Sequence, residues 1–116
     1  MIWTRHEEKV KDCVYIMQKL NEFGLYKKSV GLFYLIKILD YIMNEERDIV
    51  SFQEDVYPFI AEFFGVDERT IERNIRNFIM IVCRDCNNVE IVNNLQGLSC
   101  CKFIYKIKDM ISLSIV

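Results

Sequence analysis

The stretch YPFIAEFFGVDERTIERNIR, residues 57–76, decides the fold because it predicts two helices joined by a very short turn. Pro58 suits the first turn of a helix, where an absent N–H group costs no hydrogen bond, and Gly65 suits its end. Asp67 is a typical N-cap for a second helix, which the apolar pattern extends to about Arg84. Because only residues 65–67 separate the helices, the sequence favours a helix-turn-helix with a steep crossing over antiparallel packing.

Three positions within this stretch fit the interior of a helix-turn-helix. Ala61 is small where the two helices approach closely, and Val66 and Ile71 are apolar where the second helix packs back on the first. Asn74 departs from the pattern, because a small or apolar residue is expected at its inner position. The spacing is typical of DNA-binding helix-turn-helix units, and it also occurs by chance in helical bundles.

The second helix carries two contrasting faces, since successive residues on a helix turn by about 100°. The core face collects apolar side chains: Ile71, Ile75, Phe78, Ile79 and Val82. The opposite face, called the basic face below, collects cationic and amide side chains: Arg69, Arg73, Arg76, Asn77 and Arg84. Such a face is either solvated surface, with ion pairs from Glu72 to neighbouring arginines, or a surface that reads DNA. Met80 lies near its middle and fits neither interpretation.

The rest of the chain predicts four more helices and no strand, so the fold class is all-α, with about six helices around the helix-turn-helix. Thr4 and Glu7 have the form of a capping box for a first helix, which Gly24 would end. A second pattern follows Ser29 and fades in the charged stretch NEERD, residues 44–48. A short fifth helix is predicted within NNVEIVNNLQG, residues 87–97, and a sixth within CCKFIYKIKDMI, residues 100–111.

Length and composition predict a single domain over residues 1–116. The chain is 52% hydrophobic, with one proline, four glycines and no low-complexity run that would mark a linker. Its first residues are charged, and no uninterrupted apolar run approaches the roughly 18 residues that span a bilayer. We therefore expect a cytoplasmic protein without membrane association. The apolar content is compatible with a homodimer.

The five cysteines predict free thiols, since the number is odd and the chain has no secretion signal. Cys83 and Cys86, followed by Cys100 and Cys101, could suggest a zinc site, but typical sites use two spaced pairs, and adjacent cysteines point in different directions. A catalytic cysteine needs a base, and the one histidine, His6, fits a solvated helix start better. The sequence therefore predicts no metal site, no cofactor and no enzymatic activity.

A family resemblance is carried by two runs: GLFYLIKILDYI, residues 31–42, and VYPFIAEFFGVDERTIERNIRNFI, residues 56–79. The shared residues are Gly31, Tyr34, Leu35, Tyr57, Pro58, Ile60, Ala61, Glu72, Arg73, Ile75 and Arg76. On these residues the chain resembles the C-terminal DNA-binding effector domains of the sporulation initiation regulator family, stage zero sporulation protein A. The resemblance extends over residues 20–25 and into the sixth helix. It implies a sequence-specific transcription regulator that binds double-stranded DNA.

The resemblance also implies which side chains read the bases. In that family, base contacts fall on positions that match Arg69, Glu72, Arg73 and Arg76 here. Glu72, Arg73 and Arg76 are identical residues, whereas Arg69 is matched by position only. Their chemistry suits base reading, because arginine bonds guanine edges or phosphates and glutamate accepts from a cytosine amine.

Supporting contacts are expected from three further residues. Asn77 can bond adenine or a phosphate, and Lys27 and Lys28 can contact phosphates beside the second helix. Lysines of the last helix, Lys102, Lys106 and Lys108, could add positive charge. The family joins this domain to a phosphorylatable receiver; residues 1–116 have no room for one, so we expect a stand-alone effector domain.

An acidic stretch argues against DNA binding. Residues 48–68 contain no lysine or arginine and six carboxylates: Asp48, Glu54, Asp55, Glu62, Asp67 and Glu68. The net charge of −2 and a pI near 5.4 also disfavour nonspecific affinity, which depends on neutralising phosphates. The alternative is a diverged helix-turn-helix that binds another regulator protein and modulates it.

Overall fold

The computed structural model describes residues 13–44 and 51–113, and within these ranges it contains α-helices and no strand. The helices are α1 (Cys13–Glu22), α2 (Val30–Asn44), α3 (Tyr57–Phe64), α4 (Glu68–Asp85), α5 (Val89–Leu95) and α6 (Cys100–Leu113). They confirm the all-α prediction with six helices. The capping box predicted at Thr4 and Glu7 lies outside the described residues. No helix of the described part combines the length and the apolar character needed to cross a bilayer.

A π-helical turn that the sequence did not predict leads into α3. It spans Phe52–Val56, and its N-cap is Ser51, whose hydroxyl accepts a hydrogen bond from the N–H of Glu54 at 3.0 Å. The turn continues without a break into Tyr57, and the rings of Phe52 and Tyr57 meet edge to face with centroids 5.7 Å apart. The turn thus anchors the start of the helix-turn-helix in the core.

The central helix is α2, which contacts α1, α3, α4 and α6. Its buried residues lie on most sides of the helix: Gly31, Leu32, Tyr34, Leu35, Ile36, Ile38, Leu39 and Ile42. The predicted core face of α4 packs into the same core through Ile71, Ile75, Phe78 and Val82, and Ile79 is half-buried at its edge. Burial of these side chains orients α4 with its basic face away from the core.

α2 and α4 approach closely at Gly31. A Cβ atom at Gly31 would overlap the backbone carbonyl group of Asn74 and would lie 2.9 Å from Cβ of Phe78. Real Cβ atoms essentially never come within 3.0 Å of such neighbours, so a residue with a side chain would push the helices apart. The missing side chain at Gly31 therefore sets how closely α4 packs on α2.

Candidate nucleic-acid interface

The turn between α3 and α4 is short and has hydrogen-bonded helix ends on both sides. Gly65 ends α3 in the left-handed conformation, with φ 70° and ψ 35°, which a residue without Cβ adopts readily. The N–H of Gly65 donates to the carbonyl of Glu62 at 3.3 Å, and the N–H of Val66 donates to that of Ala61 at 3.0 Å. Ala61 is buried beside the turn. Two helices joined by a three-residue turn are therefore present where the sequence predicts them.

Asp67 starts α4 as its N-cap, as predicted from the sequence. Its Oδ1 accepts a hydrogen bond from the N–H of Thr70 at 2.8 Å. This bond, together with the nearby charge of Arg73, lowers the pKa of the Asp67 carboxyl below its ordinary value. The carboxylate is therefore held at the helix start and satisfies one of the free N–H groups there.

The basic face of α4 is exposed, as predicted, at Arg69, Arg73, Arg76, Asn77 and Arg84. Arg69 and Arg73 lie in the N-terminal half of α4. Among residues 13–44 and 51–113, no carboxylate lies within ion-pairing distance of either guanidinium group. Both cations are therefore available to an anionic ligand.

Arg76 is paired with Glu72, one turn earlier on α4. Nη2 of Arg76 donates to Oε1 of Glu72 at 3.0 Å, and the side chains are 60% and 40% exposed, respectively. Because an exposed pair of this kind contributes only about 0.3–0.5 kcal/mol, a ligand can separate it at small cost. The two side chains then present a donor fork and a carboxylate side by side.

The C-terminal end of α4 has a different charge balance. Nε of Arg84 donates to Oδ1 of Asp85 at 2.8 Å, and Nζ of Lys27 lies 3.7 Å from Oδ2 of the same carboxylate. The hydrogen bonds from Arg84 lower the pKa of the Asp85 carboxyl. Lys27 and the adjacent exposed Lys28 thus lie near the end of α4 opposite to Arg69, about 25 Å along the helix. They are not brought together with the N-terminal arginines.

Asn74 is accommodated at its inner position by a bond to its own helix. Its Nδ2 donates to the carbonyl of Thr70 at 2.8 Å, so the polar side chain is satisfied without a partner in the core. Its backbone carbonyl faces Gly31 of α2. The hydrogen bond to Thr70, and not a partner on α2, therefore accommodates the polar side chain.

Met80 lies on the same side of α4 as the arginines and is 66% exposed. A cavity of about 750 Å³ on one side of it is lined by Asn77, Cys83 and Arg84, and by Gly97 of the connection between α5 and α6. A second cavity, of about 410 Å³, is lined by Met80, Gly97 and the first turn of α6, and reaches the Glu72–Arg76 pair. Met80 therefore separates two concave surfaces on the face that the sequence predicts to read DNA.

The exposed aromatic side chains of α3 form a surface that sequence reasoning missed. Phe59 and Phe63 are 41% and 58% exposed. Phe59 stacks on Tyr41 of α2 with ring centroids 4.3 Å apart, and Nζ of Lys37 lies 4.2 Å from the centroid of Phe63. The available signal was the α3 sequence itself, YPFIAEFF, because apolar residues on all sides of an eight-residue helix exceed one buried face.

Part of the acidic stretch lies at the starts of helices. Glu54 lies in the first turn of the π-helical segment, and Asp67 and Glu68 lie at the start of α4, where the helix dipole favours negative charge. Glu62 is exposed near the end of α3 and has no such role. Asp48 lies outside the described residues. The carboxylates at the start of α4 remain close to Arg69 in sequence, so they reduce the positive potential there.

Three of the five cysteines, Cys83, Cys100 and Cys101, lie in partly buried surroundings that raise the pKa of their thiols. Burial is the first cause for Cys83, Cys100 and Cys101, which opposes thiolate formation. No group of three or more potential metal ligands occurs among the residues that the structure describes. These surroundings are those of thiols that pack as small apolar groups.

Comparison with known protein families gives a match over most of the chain. The family model described as Sporulation initiation factor Spo0A C terminal matches residues 16–109, well over half of the chain. The match includes α2, the helix-turn-helix and most of α6, which are the elements that carry and position the basic face.

The chain is also similar to the NADPH–cytochrome P450 reductase of Mus musculus, with 26% identity over 86 residues. The aligned part is 72% of this chain and 12% of the reductase, so the chain spans about an eighth of that protein. A similarity this low and partial gives no basis for assigning the reductase's activity here. No solved structure matches the chain.

Proposed function

This chain belongs to the family of sporulation initiation factor Spo0A C-terminal domains, and from that membership we propose that it binds a specific sequence of double-stranded DNA and regulates transcription. The family is one of regulatory DNA-binding domains and not of enzymes. The proposal adds that this domain binds DNA by itself, through the basic face of α4.

One observation carries the proposal: Arg69 and Arg73, two exposed arginines with no ion pair among the described residues, lie in the N-terminal half of α4. In a helix-turn-helix, the second helix lies in the major groove and its N-terminal residues contact base edges. The bonded turn and the Asp67 cap hold the helix in place before a ligand arrives. The guanidinium groups would therefore meet phosphates or base edges without rearrangement of the backbone.

We assign the base contacts first to Arg73, Arg76 and Glu72. Arginine bonds the O6 and N7 atoms of guanine through two N–H groups, and glutamate accepts from the amine of cytosine. Glu72 and Arg76 lie one turn apart on α4, so their side chains suit contacts with two neighbouring base pairs. Arg69 and Asn77 supply supporting contacts at either end of this group.

We also propose that Lys27 and Lys28 contact phosphates. These contacts set one requirement on the path of the DNA backbone. Lys27 lies beside Asp85, at the C-terminal end of α4. The DNA backbone would have to pass this end of the helix for either lysine to reach a phosphate. The ion pair with Asp85 would then be exchanged for one with DNA.

The proposal also covers the location of the protein, its domain organisation and its oligomeric state. A transcription regulator acts where the DNA is, so we place the protein in the cytoplasm. Residues 1–116 are proposed to act as one domain, with DNA as the principal ligand. A homodimer fits this function, because two copies on adjacent elements would bind more tightly than one.

Fluorescence anisotropy tests the proposal directly. A labelled duplex carrying an element selected from a random pool by the protein is compared with a scrambled duplex of the same composition. We expect tighter binding to the selected element, and a logarithm of affinity that falls linearly with the logarithm of salt concentration. Absence of binding at low salt by protein with native helix content would refute the proposal. Equal affinity for both duplexes would refute sequence specificity.

A second candidate function is supported by the exposed aromatic pair on α3. Phe59 and Phe63 lie on the first helix of the helix-turn-helix, next to the exposed carboxylate of Glu62. An aromatic surface with both Glu62 and Lys37 at its edge suits contact with a protein. If the protein does not bind DNA, this surface is where a partner regulator would be sought, with Phe63→Ala as the variant that weakens the complex.

A further inference from the structure

Met80 is an apolar side chain on a face that is otherwise charged or polar. It is 66% exposed, although α4 has a well-filled core face that ends at Val82. An exposed methionine gains nothing from water and contributes nothing to the core. Its position between Arg76 and Arg84 places one apolar group within the basic face.

The position of Met80 follows directly from helix geometry. It lies one turn beyond Arg76 and two turns beyond Arg73, which is about 6 Å and 10 Å along the axis. The smaller cavity beside it is bounded by both Glu72 and Arg76. A ligand that meets Glu72 and Arg76 on this face therefore comes within reach of the Met80 side chain.

The surroundings of Met80 leave room for a ligand group. Gly97 lines both cavities next to Met80, and as a glycine it adds no side chain to them. The walls nearest Met80 also include Ile79, so the surface here is apolar between polar margins. An apolar group of modest size would fit beside the thioether.

We propose that Met80 is a specificity-determining residue that packs against the 5-methyl group of a thymine, on the side of the Arg76 contact that faces away from Arg73. This inference rests on the proposed DNA-binding function. The thymine methyl is the apolar group that the major groove presents, and apolar side chains distinguish it from the other bases. Methionine suits such a contact because its flexible side chain adapts to the groove wall.

The test removes the methyl group from the DNA and the side chain from the protein. The probe is the duplex selected by wild-type protein, with each thymine replaced in turn by uracil, which lacks only the methyl. We expect one uracil substitution to weaken wild-type binding roughly threefold to fourfold, the effect of one buried methyl. Met80→Ala should bind the thymine and uracil duplexes equally.

Met80→Leu is the matched control, since leucine keeps an apolar side chain of similar size. It should retain preference for thymine at the same position. Thermal unfolding of all three proteins should coincide, because Met80 is exposed and its replacement leaves the core intact.

The outcomes separate this inference from the function on which it rests. Specific binding by wild-type protein, with no thymine preference at any position, would overturn the role of Met80 and leave DNA binding standing. A thymine preference that persists in Met80→Ala would overturn it equally. Loss of self-association by Met80→Ala, with unchanged thymine preference, would assign Met80 to a protein contact instead. Failure of folded wild-type protein to bind any duplex would overturn both proposals.

Discussion

Glu72 and Arg76 form a hydrogen-bonded ion pair across one turn of α4, with 3.0 Å between Oε1 and Nη2. Both side chains are well exposed, so the pair contributes little to folding. We expect Glu72→Gln to change the free energy of unfolding by less than about 0.5 kcal/mol, while altering base preference beside the Arg76 contact. Urea unfolding and binding to duplexes with single base changes measure the two effects. A loss of stability above about 1 kcal/mol would show that the pair has a structural role.

Arg73→Ala should weaken specific DNA binding by about 1–3 kcal/mol without loss of stability, because Arg73 is exposed and has no ion pair among the described residues. Arg84→Ala is the matched control on the same helix, since Arg84 is also exposed but is bonded to Asp85. Anisotropy titrations compare the two variants with wild type. Equal losses for Arg73→Ala and Arg84→Ala would contradict base reading by the N-terminal half of α4.

Gly31→Ala should destabilise the fold by about 1–3 kcal/mol, because the new Cβ would overlap the Asn74 carbonyl. The conflict is with backbone of α4, which cannot turn away as a flexible side chain can. Val30→Ala, at the exposed neighbouring position, should change stability by no more than about 0.5 kcal/mol. Chemical unfolding of both variants gives the comparison. A stable Gly31→Ala protein would show that α2 and α4 can separate at low cost.

Asp67→Asn should make the stability of the fold decrease less steeply as the pH is lowered. The folded pKa of Asp67 is lowered below its ordinary 3.8, so the charged cap stabilises the fold above about pH 4 and loses this effect as pH falls through the folded pKa. Asparagine caps a helix without titrating. The difference in melting temperature between the wild type and Asp67→Asn should therefore shift in favour of the variant as pH is lowered from 6 to about 2. A difference independent of pH would contradict the cap assignment.

Tyr57→Phe should leave the free energy of unfolding unchanged or raise it by up to about 1 kcal/mol. The Tyr57 hydroxyl is buried and has no well-formed hydrogen bond to the described residues, although the thiol of Cys101, a weak acceptor, lies beside it. Burial raises the pKa of Tyr57, so the hydroxyl stays neutral at ordinary pH. Tyr57→Ala, which also removes the ring contact with Phe52, should cost about 3–5 kcal/mol. Marked destabilisation by the phenylalanine variant would reveal a hydrogen bond from the hydroxyl.

The features that sequence reasoning predicted well are those that local pattern determines. The core and basic faces of α4 follow from helical periodicity, and Asp67, Pro58 and Gly65 mark helix ends by their own backbone chemistry. Each depends on residues within one or two turns. The described structure confirms them without any long-range information.

The features that sequence reasoning missed depend on contacts between distant segments. The π-helical turn Phe52–Val56 has no sequence signature of its own, and the exposure of Phe63 depends on which side of α3 meets α2. Lys27 lies beside Asp85 because the connection between α1 and α2 passes the C-terminal end of α4, where Gly24 also faces Cys86, and no local pattern reveals this. The base-contact roles of the basic face stay predictions, since geometry places the side chains and does not identify what they bind.

The hydrogen-bonded turn at residues 65–67 affects the thermodynamics of ligand binding. Gly65 closes α3 and Asp67 opens α4, so the intervening backbone is already ordered before any ligand arrives. An ordered recognition element pays little configurational entropy on association. Calorimetry should then give a heat-capacity change set by dehydration of the contact surface alone, without the large negative contribution that accompanies coupled folding.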